Sequence, residues 1–390
     1  MSDCLCPLKE AARDAPNQLA LLSHTYAELD ALADSIAAGP ICEAPSPKTI
    51  AQFFASWRSG KPIFLPNLRF PRSQIEAAIQ QLKNAPPHIY LFTSGSTGTP
   101  KIAALSKANL LASAAASVDL RPNDQWKLTL PLYHVGGIGI LLRCILARAT
   151  IVLEDSPDIT HLSYVPTQLY RATPVYKKLR CLLLGGAPIT SFPDRLPIFA
   201  TYGLTEMGSL VVVKQNPTTP YLGHPLKGRE IKVAQDGEIW VRGQCLFQGY
   251  WEAGKLRLPL DEQGWFATGD LGRYCSKEGL AIVGRKDWQF ISGGENIQPE
   301  EIEKELLSLR EVEEAVVVPI ADAEFGARPI AVVKVNDPSF DLKRMRDALQ
   351  DRLPKYKIPI SLLILDEIPK IGFKINRKEI FKMISFCPNF

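Results

Sequence analysis

A short loop rich in glycine and hydroxyl side chains directly follows an apolar segment of the chain. The apolar segment spans residues 89–92, and the loop runs from Thr93 to Lys101 with the letters T-S-G-S-T-G-T-P-K. Glycines let backbone N–H groups approach an oxyanion, hydroxyls add donors, and a lysine adds positive charge. The pattern therefore predicts a phosphate-binding turn after a buried strand, although a polar surface turn has the same composition.

The nucleotide-binding loop G-x-x-x-x-G-K-[ST] does not fit these letters. Gly95 and Gly98 are too close together, Pro100 precedes the lysine, and Ile102 stands where that motif needs a Mg²⁺-binding hydroxyl. The loop therefore predicts a phosphate site of another kind.

The chain after this loop alternates between strand-like and helix-like patterns. Longer helical or loop segments separate four apolar runs, at residues 127–130, 150–153, 161–165 and 180–184. This alternation favours an α/β fold with a largely parallel sheet. Short strands after Pro225 indicate a small β element, and an α+β pattern follows residue 286. We expect a large N-terminal α/β domain with this small β element over residues 1–286, joined by a hinge to a small α+β C-terminal cap domain over residues 287–390.

Composition narrows the function classes. The chain has 390 residues, of which 46% are hydrophobic, so it can bury a large core in more than one domain. Its net charge of +4 results from 45 basic and 41 acidic residues, a balance that argues against a nucleic-acid partner. Arg143 and Arg148 interrupt the most apolar stretch, and the N-terminus lacks a signal-peptide pattern, so we expect no membrane insertion. Eight scattered cysteines without metal-site spacing indicate a reduced, cytoplasmic protein.

Further short motifs follow the loop along the chain, and each in isolation is an ordinary turn or surface segment. They are Pro131-Leu132-Tyr133-His134, Gly185-Gly186-Ala187-Pro188, Tyr202-Gly203-Leu204-Thr205-Glu206, Thr268-Gly269-Asp270, Gly284-Arg285, Ser292-Gly293-Gly294-Glu295-Asn296 and Gly372-Phe373-Lys374. Together with T-S-G-S-T-G-x-P-K, this series resembles the adenylate-forming superfamily of acyl-CoA and aryl-CoA synthetases, luciferases and peptide-synthetase adenylation domains. The resemblance covers residues 92–377, which is most of the chain.

The resemblance implies an ATP site. The loop residues that would bind phosphate are Thr93, Ser94, Gly95, Ser96, Thr97, Gly98 and Lys101. The resemblance places the turn Gly185, Gly186 and Ala187 and the aromatic Tyr202, which precedes Gly203, beside adenine. It places Thr205 on the α-phosphate, Asp270 on the ribose, and Arg285 on the ribose or phosphate. Glu206 is the implied ligand of Mg²⁺, a hard cation that takes carboxylate oxygen and offsets the charge of the triphosphate.

The resemblance also implies two successive half-reactions. Lys374 would stabilise the charge that develops as the acid is transferred to AMP. The cap would then rotate about the hinge residue Asp287 and bring Gly293 and Gly294 to the thiol of coenzyme A. Phe373 departs from the superfamily, in which glycine precedes the catalytic lysine, and a solvated surface lysine is the alternative interpretation of Lys374.

A second group of residues concerns the identity of the acid. Residues 131–135, 163–171 and 291–301 resemble the corresponding segments of o-succinylbenzoate:CoA ligases of menaquinone biosynthesis. This substrate keeps an aromatic carboxylate after its succinyl carboxylate is activated, and burying that group unpaired would be costly. Arg143 is its expected partner, with Ser163 and Ser209 as helpers. The resemblance implies that His134 is a catalytic residue that borders the acyl and thiol tunnel, although a lone histidine is more often structural. Alternatively, Arg143 forms a structural ion pair.

We therefore expect an enzyme, an AMP-forming acid–thiol ligase that joins o-succinylbenzoate to coenzyme A with ATP and Mg²⁺. Other functions stay open: another aryl- or acyl-CoA ligase, a carrier-protein adenylation domain, or a nucleotide-binding homologue with reduced catalysis, which Phe373 would favour. The expected partners are the carboxylic acid, ATP and coenzyme A, and a homodimer is compatible with the sequence.

Overall fold

The structure is a computed structural model that describes residues 6–41, 43–93, 100–116, 118–171, 173–186, 195–371 and 374–385. The helices among these residues are α1 Pro7–Asp14, α2 Tyr26–Ser35, α3 Pro47–Arg58, α4 Arg72–Gln81, α5 Lys107–Ala115, α6 Val135–Ala147, α7 Pro166–Arg171, α8 Pro299–Leu307, α9 Leu342–Leu349 and α10 Arg377–Ser385. Short 3₁₀ turns cover Thr205–Met207, Lys286–Trp288 and Lys355–Lys357. Side chains stabilise several helix starts, because Thr25, Ser46 and Ser106 each accept a hydrogen bond from a backbone N–H of the first turn.

A large sheet lies at the centre of the N-terminal part. In spatial order its strands are β11 Ser209–Gln215, β10 Ile198–Leu204, β9 Cys181–Leu184, β8 His161–Tyr164, β6 Gln125–Lys127, β7 Thr150–Val152, β1 Leu19–Leu21 and β2 His24–Thr25. The strands from β10 to β1 run parallel, and β11 and β2 are antiparallel edge strands. Ligand sites of such sheets form beyond the carboxyl ends of the parallel strands.

Two smaller sheets complete this part. One contains β15 Lys255–Arg257, β14 Gly249–Glu252, β5 Lys101–Leu105, β4 Ile89–Thr93 and β3 Ile63–Leu65. The other is antiparallel and contains β12 Arg229–Val233, β13 Glu238–Gly243, β16 Phe266–Cys275 and β17 Gly279–Arg285. One apolar core joins helices α1, α2, α3, α5 and α6 to all three sheets.

The C-terminal part has its own sheet and its own apolar cores. Its strands are β20 Val312–Asp322, β21 Gly326–Val335 and β22 Ser361–Ile364, with the hairpins β18 Phe290–Ser292 with β19 Glu295–Ile297 and β23 Lys370–Ile371 with β24 Lys374–Ile375. One face of the sheet is packed with residues of α8 and α9, and the other with Ile380 and Ile384 of α10. Separate cores are typical of separate folding units.

The expected α/β class with an α+β C-terminal part is confirmed. The strand predicted at residues 127–130 was wrong in position. β6 ends at Lys127, and the chain turns directly after it, because the Thr129 N–H donates to the Lys127 carbonyl at 3.0 Å. The apolar stretch around Arg143 forms α6 and β7, both largely buried. Among the described residues, no helix has the length and apolarity needed to cross a membrane. The cysteines at positions 6, 144, 181, 245 and 275 are free thiols.

Candidate active site

The ends of the predicted phosphate loop lie opposite each other on neighbouring strands. Thr93 ends β4, Lys101 begins β5, and the two residues are partners in the antiparallel register. Residues 94–99 lie outside the described part of the chain, so the predictions for Ser94, Gly95, Ser96, Thr97 and Gly98 continue to rest on the sequence. Thr93, the first hydroxyl-bearing residue of the motif, and Lys101, its lysine, are therefore adjacent across the two strands.

Tyr202 and Asp270 connect the central sheet to the small antiparallel sheet. Tyr202 is buried on β10, and its hydroxyl donates a hydrogen bond to Asp270 Oδ2 at 2.7 Å. Arg285 is the register partner of Asp270, and its Nη1 donates to the other carboxylate oxygen at 2.9 Å. Burial raises the pKa of Tyr202, and the Asp270 carboxylate raises it further, so the phenol stays protonated. The Asp270 carboxylate thus links Tyr202, which is predicted to contact adenine, to Arg285, which is predicted to contact the ribose or phosphate.

The predicted hinge residue adjoins this cluster. Asp287 accepts a hydrogen bond from Arg285 Nη2 at 3.2 Å. Its neighbour Lys286 contacts Asp236 and Glu238, each at 2.7 Å, on and beside β13. The segment that leaves β17 is therefore tied by charged groups to the sheet that carries Asp270.

The predicted adenine-side turn follows β9. Gly185 and Gly186 come directly after Leu184, which pairs in parallel with Ala200 on β10. They therefore lie at the same sheet edge as Tyr202, as expected for the carboxyl ends of parallel strands. Ala187 lies outside the described residues.

Glu206 lies in the 3₁₀ turn Thr205–Met207, directly after the strand that carries Tyr202 and Gly203. Its Oε1 accepts a hydrogen bond of 2.7 Å from the hydroxyl of Tyr250 on β14. The Lys101 ammonium lies 4.7 Å from the centroid of the same tyrosine ring. The predicted metal ligand and the predicted phosphate lysine therefore share one aromatic neighbour.

The residues around Glu206 fit Mg²⁺ bound together with a nucleotide. Within the described ranges, no group of three His, Cys, Asp or Glu side chains is arranged to hold a metal ion. Mg²⁺ does not need such a group, because it keeps several waters and is usually bound through one or two carboxylates plus substrate phosphates. A single carboxylate near the base of the phosphate loop suits this mode of binding.

Arg143, which is predicted to bind the acid, is a buried cation. It lies on α6 with 4% of its surface exposed, and its pKa is lowered to about 10 by burial and by the nearby Arg229. The guanidinium is thus still positive at neutral pH. Among the described residues it has no carboxylate partner, and its Nε makes no hydrogen bond. The predicted structural ion pair is therefore not found in this part of the chain.

Three neighbours define the surroundings of this guanidinium. Ser209 Oγ lies 3.5 Å from Arg143 Nη2, and the Trp126 ring lies below the guanidinium with its centroid 5.9 Å away. Gly139 is one helical turn earlier, and a Cβ there would lie 2.6 Å from Arg143 Nη1. The guanidinium therefore lies over Gly139. A larger residue at position 139 would place its Cβ against Nη1 and displace the guanidinium.

The other predicted acid-side residues have different contacts. Ser163 is buried on β8, and its carbonyl accepts a hydrogen bond from the Thr129 hydroxyl. Within the described residues, no hydrogen bond joins Ser163 to Arg143. His134 precedes α6, and its ring packs against Tyr133 with the centroids 4.7 Å apart.

The C-terminal part carries two further predicted elements. Gly293 and Gly294 form the turn between β18 and β19 with φ values of +57° and +85°, which favour glycine at both positions. The backbone of Lys374 lies on β24 and pairs with Ile371. The side chain of Lys374, and residues 372 and 373, lie outside the described part, so its catalytic role stays a prediction.

No motif of the sequence predicts that Tyr250, Trp126 or Arg229 neighbours these residues. The segment Gly249-Tyr250-Trp251 indicates only a buried aromatic strand, and Trp126 only a core residue. Their proximity to Glu206 and Arg143 results from side-chain packing between different elements of the fold. No local pattern signals it.

Comparison with known proteins agrees with this arrangement. Residues 42–251 match the model of the AMP-binding enzyme family, and residues 301–373 match the model of the AMP-binding enzyme C-terminal domain. A 2-succinylbenzoate–CoA ligase of Salmonella typhimurium is 39% identical over 316 residues, which cover 76% of this chain and 68% of that protein.

Two solved structures from Bacillus subtilis share the fold along nearly the whole chain. The o-succinylbenzoate CoA synthetase (MenE) in complex with the acyl-adenylate intermediate OSB-AMP is 25% identical, with a TM-score of 0.85 and coverage of 96% of this chain and 97% of that chain. The same synthetase in complex with ATP and magnesium ion is 25% identical, with a TM-score of 0.75 and coverage of 94% and 96%. The family predicted from the motifs is thereby confirmed: the chain belongs to the AMP-binding enzyme family.

Proposed function

We propose that this chain is an AMP-forming 2-succinylbenzoate–CoA ligase (2-succinylbenzoate is o-succinylbenzoate). It activates the acid as an acyl adenylate and transfers it to coenzyme A, with AMP and pyrophosphate as the other products. The observation that carries the choice of acid is Arg143, a buried guanidinium on the acid side with no carboxylate partner among the described residues.

The charge of Arg143 is a reason to expect a dicarboxylic acid. A buried cation without a counter-ion costs several kcal/mol, by an order-of-magnitude estimate, and a bound carboxylate removes much of that cost. The ring carboxylate of 2-succinylbenzoate supplies such an anion, while its succinyl carboxylate stays available for activation. A benzoate or a fatty acid has only the carboxylate that reacts, and would leave the guanidinium unpaired.

In the first half-reaction, a succinyl carboxylate oxygen attacks the α-phosphorus of ATP. The bond between the α-phosphorus and the bridging oxygen breaks, and pyrophosphate leaves. Thr93, Lys101 and the loop between them hold the phosphates, Asp270 and Arg285 hold the ribose, and Lys374 stabilises the charge on the transferring group. Mg²⁺ bound through Glu206 would neutralise part of the triphosphate charge.

In the second half-reaction, the thiolate of coenzyme A attacks the acyl carbon, the bond between that carbon and the phosphate oxygen breaks, and AMP leaves. For this step the cap, residues 287–390, rotates about Asp287, withdraws Lys374 and places Gly293 and Gly294 beside the thiol. The ion pairs of Lys286 with Asp236 and Glu238 and of Arg285 with Asp287 support a defined resting orientation of this segment. All substrates are small soluble metabolites, which is consistent with a cytoplasmic enzyme of menaquinone biosynthesis.

The test is ATP-dependent pyrophosphate release with 2-succinylbenzoate, followed by addition of coenzyme A and mass detection of the thioester. The matched control acid is 4-oxo-4-phenylbutanoate, which has the same succinyl arm but no ring carboxylate. We expect turnover to favour 2-succinylbenzoate strongly. Efficient turnover of a different acid would support the proposed reaction and contradict the proposed substrate. Nucleotide binding without turnover of any acid would indicate a homologue with reduced catalysis.

Lys374 is tested by separating the two half-reactions. We expect Lys374→Ala to lower adenylate formation by about 10²-fold or more, because it removes a charge that acts in the transition state. Thioester formation from supplied acyl adenylate should change little, since Lys374 is withdrawn in that step. Lys370→Ala, in the same hairpin, is the control. Equal losses in both half-reactions of Lys374→Ala would contradict the assigned role.

A further inference from the structure

Tyr250 lies where the two sides of the phosphate site meet. It is on β14, where it pairs with Ala103 on β5. Because side chains alternate across a strand, Lys101 projects from the same face of β5 as Ala103, next to the tyrosine ring. The Lys101 ammonium accordingly lies 4.7 Å from the ring centroid.

The hydroxyl of Tyr250 acts on the opposite side of the site. It donates a hydrogen bond of 2.7 Å to Glu206 Oε1. A backbone hydrogen bond of 2.8 Å, from Phe247 N–H to the Glu206 carbonyl, joins the same two segments. Tyr250 is only 7% exposed, so water competes little for the phenol–carboxylate bond.

Two readings are consistent with these contacts. In the structural reading, Glu206 only satisfies the hydroxyl of a buried aromatic residue, as backbone carbonyls do for other buried tyrosines. In the functional reading, the hydrogen bond orients the carboxylate that meets Mg²⁺. The second reading explains why the acceptor is a carboxylate and why the ring also contacts the phosphate lysine. Partners that orient metal ligands typically change metal affinity by about 10- to 100-fold when they are removed.

We propose that Tyr250 is a positioning residue of the nucleotide site: its hydroxyl holds one oxygen of Glu206 so that the other faces Mg²⁺, and its ring holds Lys101 at the base of the phosphate loop. The proposal rests on the roles of Glu206 and Lys101 in the proposed function. It adds a residue that ties the metal side of the site to the phosphate side.

Tyr250→Phe tests the hydroxyl, because it removes one oxygen and keeps the ring beside Lys101. The matched control is Tyr90→Phe, since Tyr90 is also buried in the same sheet and its hydroxyl donates to the Pro86 carbonyl at 2.9 Å. The direct readout is Mn²⁺ binding to the enzyme–ATP complex, measured by electron paramagnetic resonance. We expect the Kd for Mn²⁺ to rise about 10-fold in Tyr250→Phe and to stay unchanged in Tyr90→Phe. Thermal unfolding of both variants reports whether they fold.

Two further readouts separate the parts of the proposal. The Kd for ATP without metal should be unchanged in Tyr250→Phe and should rise about threefold in Tyr250→Leu, which also removes the ring beside Lys101. Thioester formation from supplied acyl adenylate, which needs no triphosphate, should be unchanged in Tyr250→Phe. An unchanged Kd for Mn²⁺, or equal losses in both half-reactions, would overturn the proposal.

The metal measurement also distinguishes this proposal from the proposed function. If the unmodified enzyme binds Mn²⁺ with ATP but converts no acid, the proposed function fails, while the effect of Tyr250→Phe on Mn²⁺ binding still decides the role of the tyrosine. If the acid is converted but the variant binds Mn²⁺ normally, the function stands and the role of Tyr250 is rejected.

Discussion

Arg143 and Arg229 are both buried beside strand β11, yet their surroundings differ. Arg143 is 4% exposed and Arg229 is 5% exposed. Arg229 makes five hydrogen bonds, four to backbone carbonyls and one to the Ser113 hydroxyl, at distances from 2.6 to 3.3 Å. This number equals the five N–H donors of a guanidinium, so Arg229 is saturated within the fold.

Arg143 is not saturated in the described part of the chain. Its one hydrogen bond there, to Ser209, is 3.5 Å long, and its Nε has no partner. Buried donors are rarely left in this state unless a ligand or an ordered water completes them. Burial alone therefore does not separate the two arginines, whereas the number of satisfied donors separates Arg229 from Arg143, the arginine proposed to bind the acid.

The largest expected effect is that of Arg143→Met on acid selection. We expect kcat/KM for 2-succinylbenzoate to fall about 1,000-fold, because the ring carboxylate would be buried without its cation. The value for 4-oxo-4-phenylbutanoate should be unchanged or higher. Steady-state pyrophosphate release with both acids measures the ratio.

Stability gives an independent check of this variant. Replacing an uncompensated buried charge by an apolar side chain of similar length is often neutral or stabilising. The melting temperature of Arg143→Met should therefore not lie below that of the unmodified protein. A clearly lower melting temperature, or an equal loss of turnover with both acids, would indicate that Arg143 has a structural role and does not bind the acid.

The second effect is that of Arg229→Met on stability. The substitution leaves the carbonyls around Ser113 and Leu210 without their donor, and we expect the free energy of unfolding to fall by about 3 kcal/mol. Urea unfolding followed by circular dichroism measures it. The ratio of kcat/KM for the two acids should stay unchanged in Arg229→Met. A shift of that ratio as large as the shift expected for Arg143→Met would show that the two arginines do not differ in their effect on acid selection.

Much of the fold could be predicted from local sequence, and three residues predicted for the nucleotide lie together in the structure. Alternating apolar and helical segments indicated the parallel sheet, and Tyr202, Asp270 and Arg285, predicted as separate motifs, form one hydrogen-bonded cluster. Each of these motifs lies at the end of a regular element or in the ladder of a hairpin. Short-range pattern and strand register therefore determine most of their placement.

The distinction between the two arginines could not be predicted in this way. The position of Arg143 within an apolar helix indicated burial, but Arg229 stands between Gly228 and Glu230 in a segment that indicates only a strand. Its acceptors at Ser113 are 116 residues earlier in the chain. Which donors are satisfied depends on such long-range packing, and the same holds for the contact between Tyr250 and Glu206.

A smaller effect is expected from Gly139→Ala. The added methyl group would lie 2.6 Å from Arg143 Nη1, so the guanidinium must move. We expect kcat/KM for 2-succinylbenzoate to fall about 10-fold, equivalent to about 1.4 kcal/mol, with little change for 4-oxo-4-phenylbutanoate. Gly136→Ala, in the same helix, is the control because it crowds Leu130 instead and should leave the ratio of the two acids unchanged. Equal ratios in the two variants would show that the position of the guanidinium does not select the acid.

The smallest effect tests the two arginines through their hydroxyl neighbours. Ser209→Ala removes the long hydrogen bond to Arg143, and Ser113→Ala removes the 3.1 Å hydrogen bond to Arg229. We expect Ser209→Ala to lower kcat/KM for 2-succinylbenzoate about threefold with little change in stability, because a weak hydrogen bond is lost where the ligand supplies the main partner. Ser113→Ala should lower the free energy of unfolding by about 1 kcal/mol and leave acid selection unchanged. Because both substitutions remove one oxygen beside one buried guanidinium, a reversed pattern of effects would show that donor satisfaction does not separate structural from binding arginines in this fold.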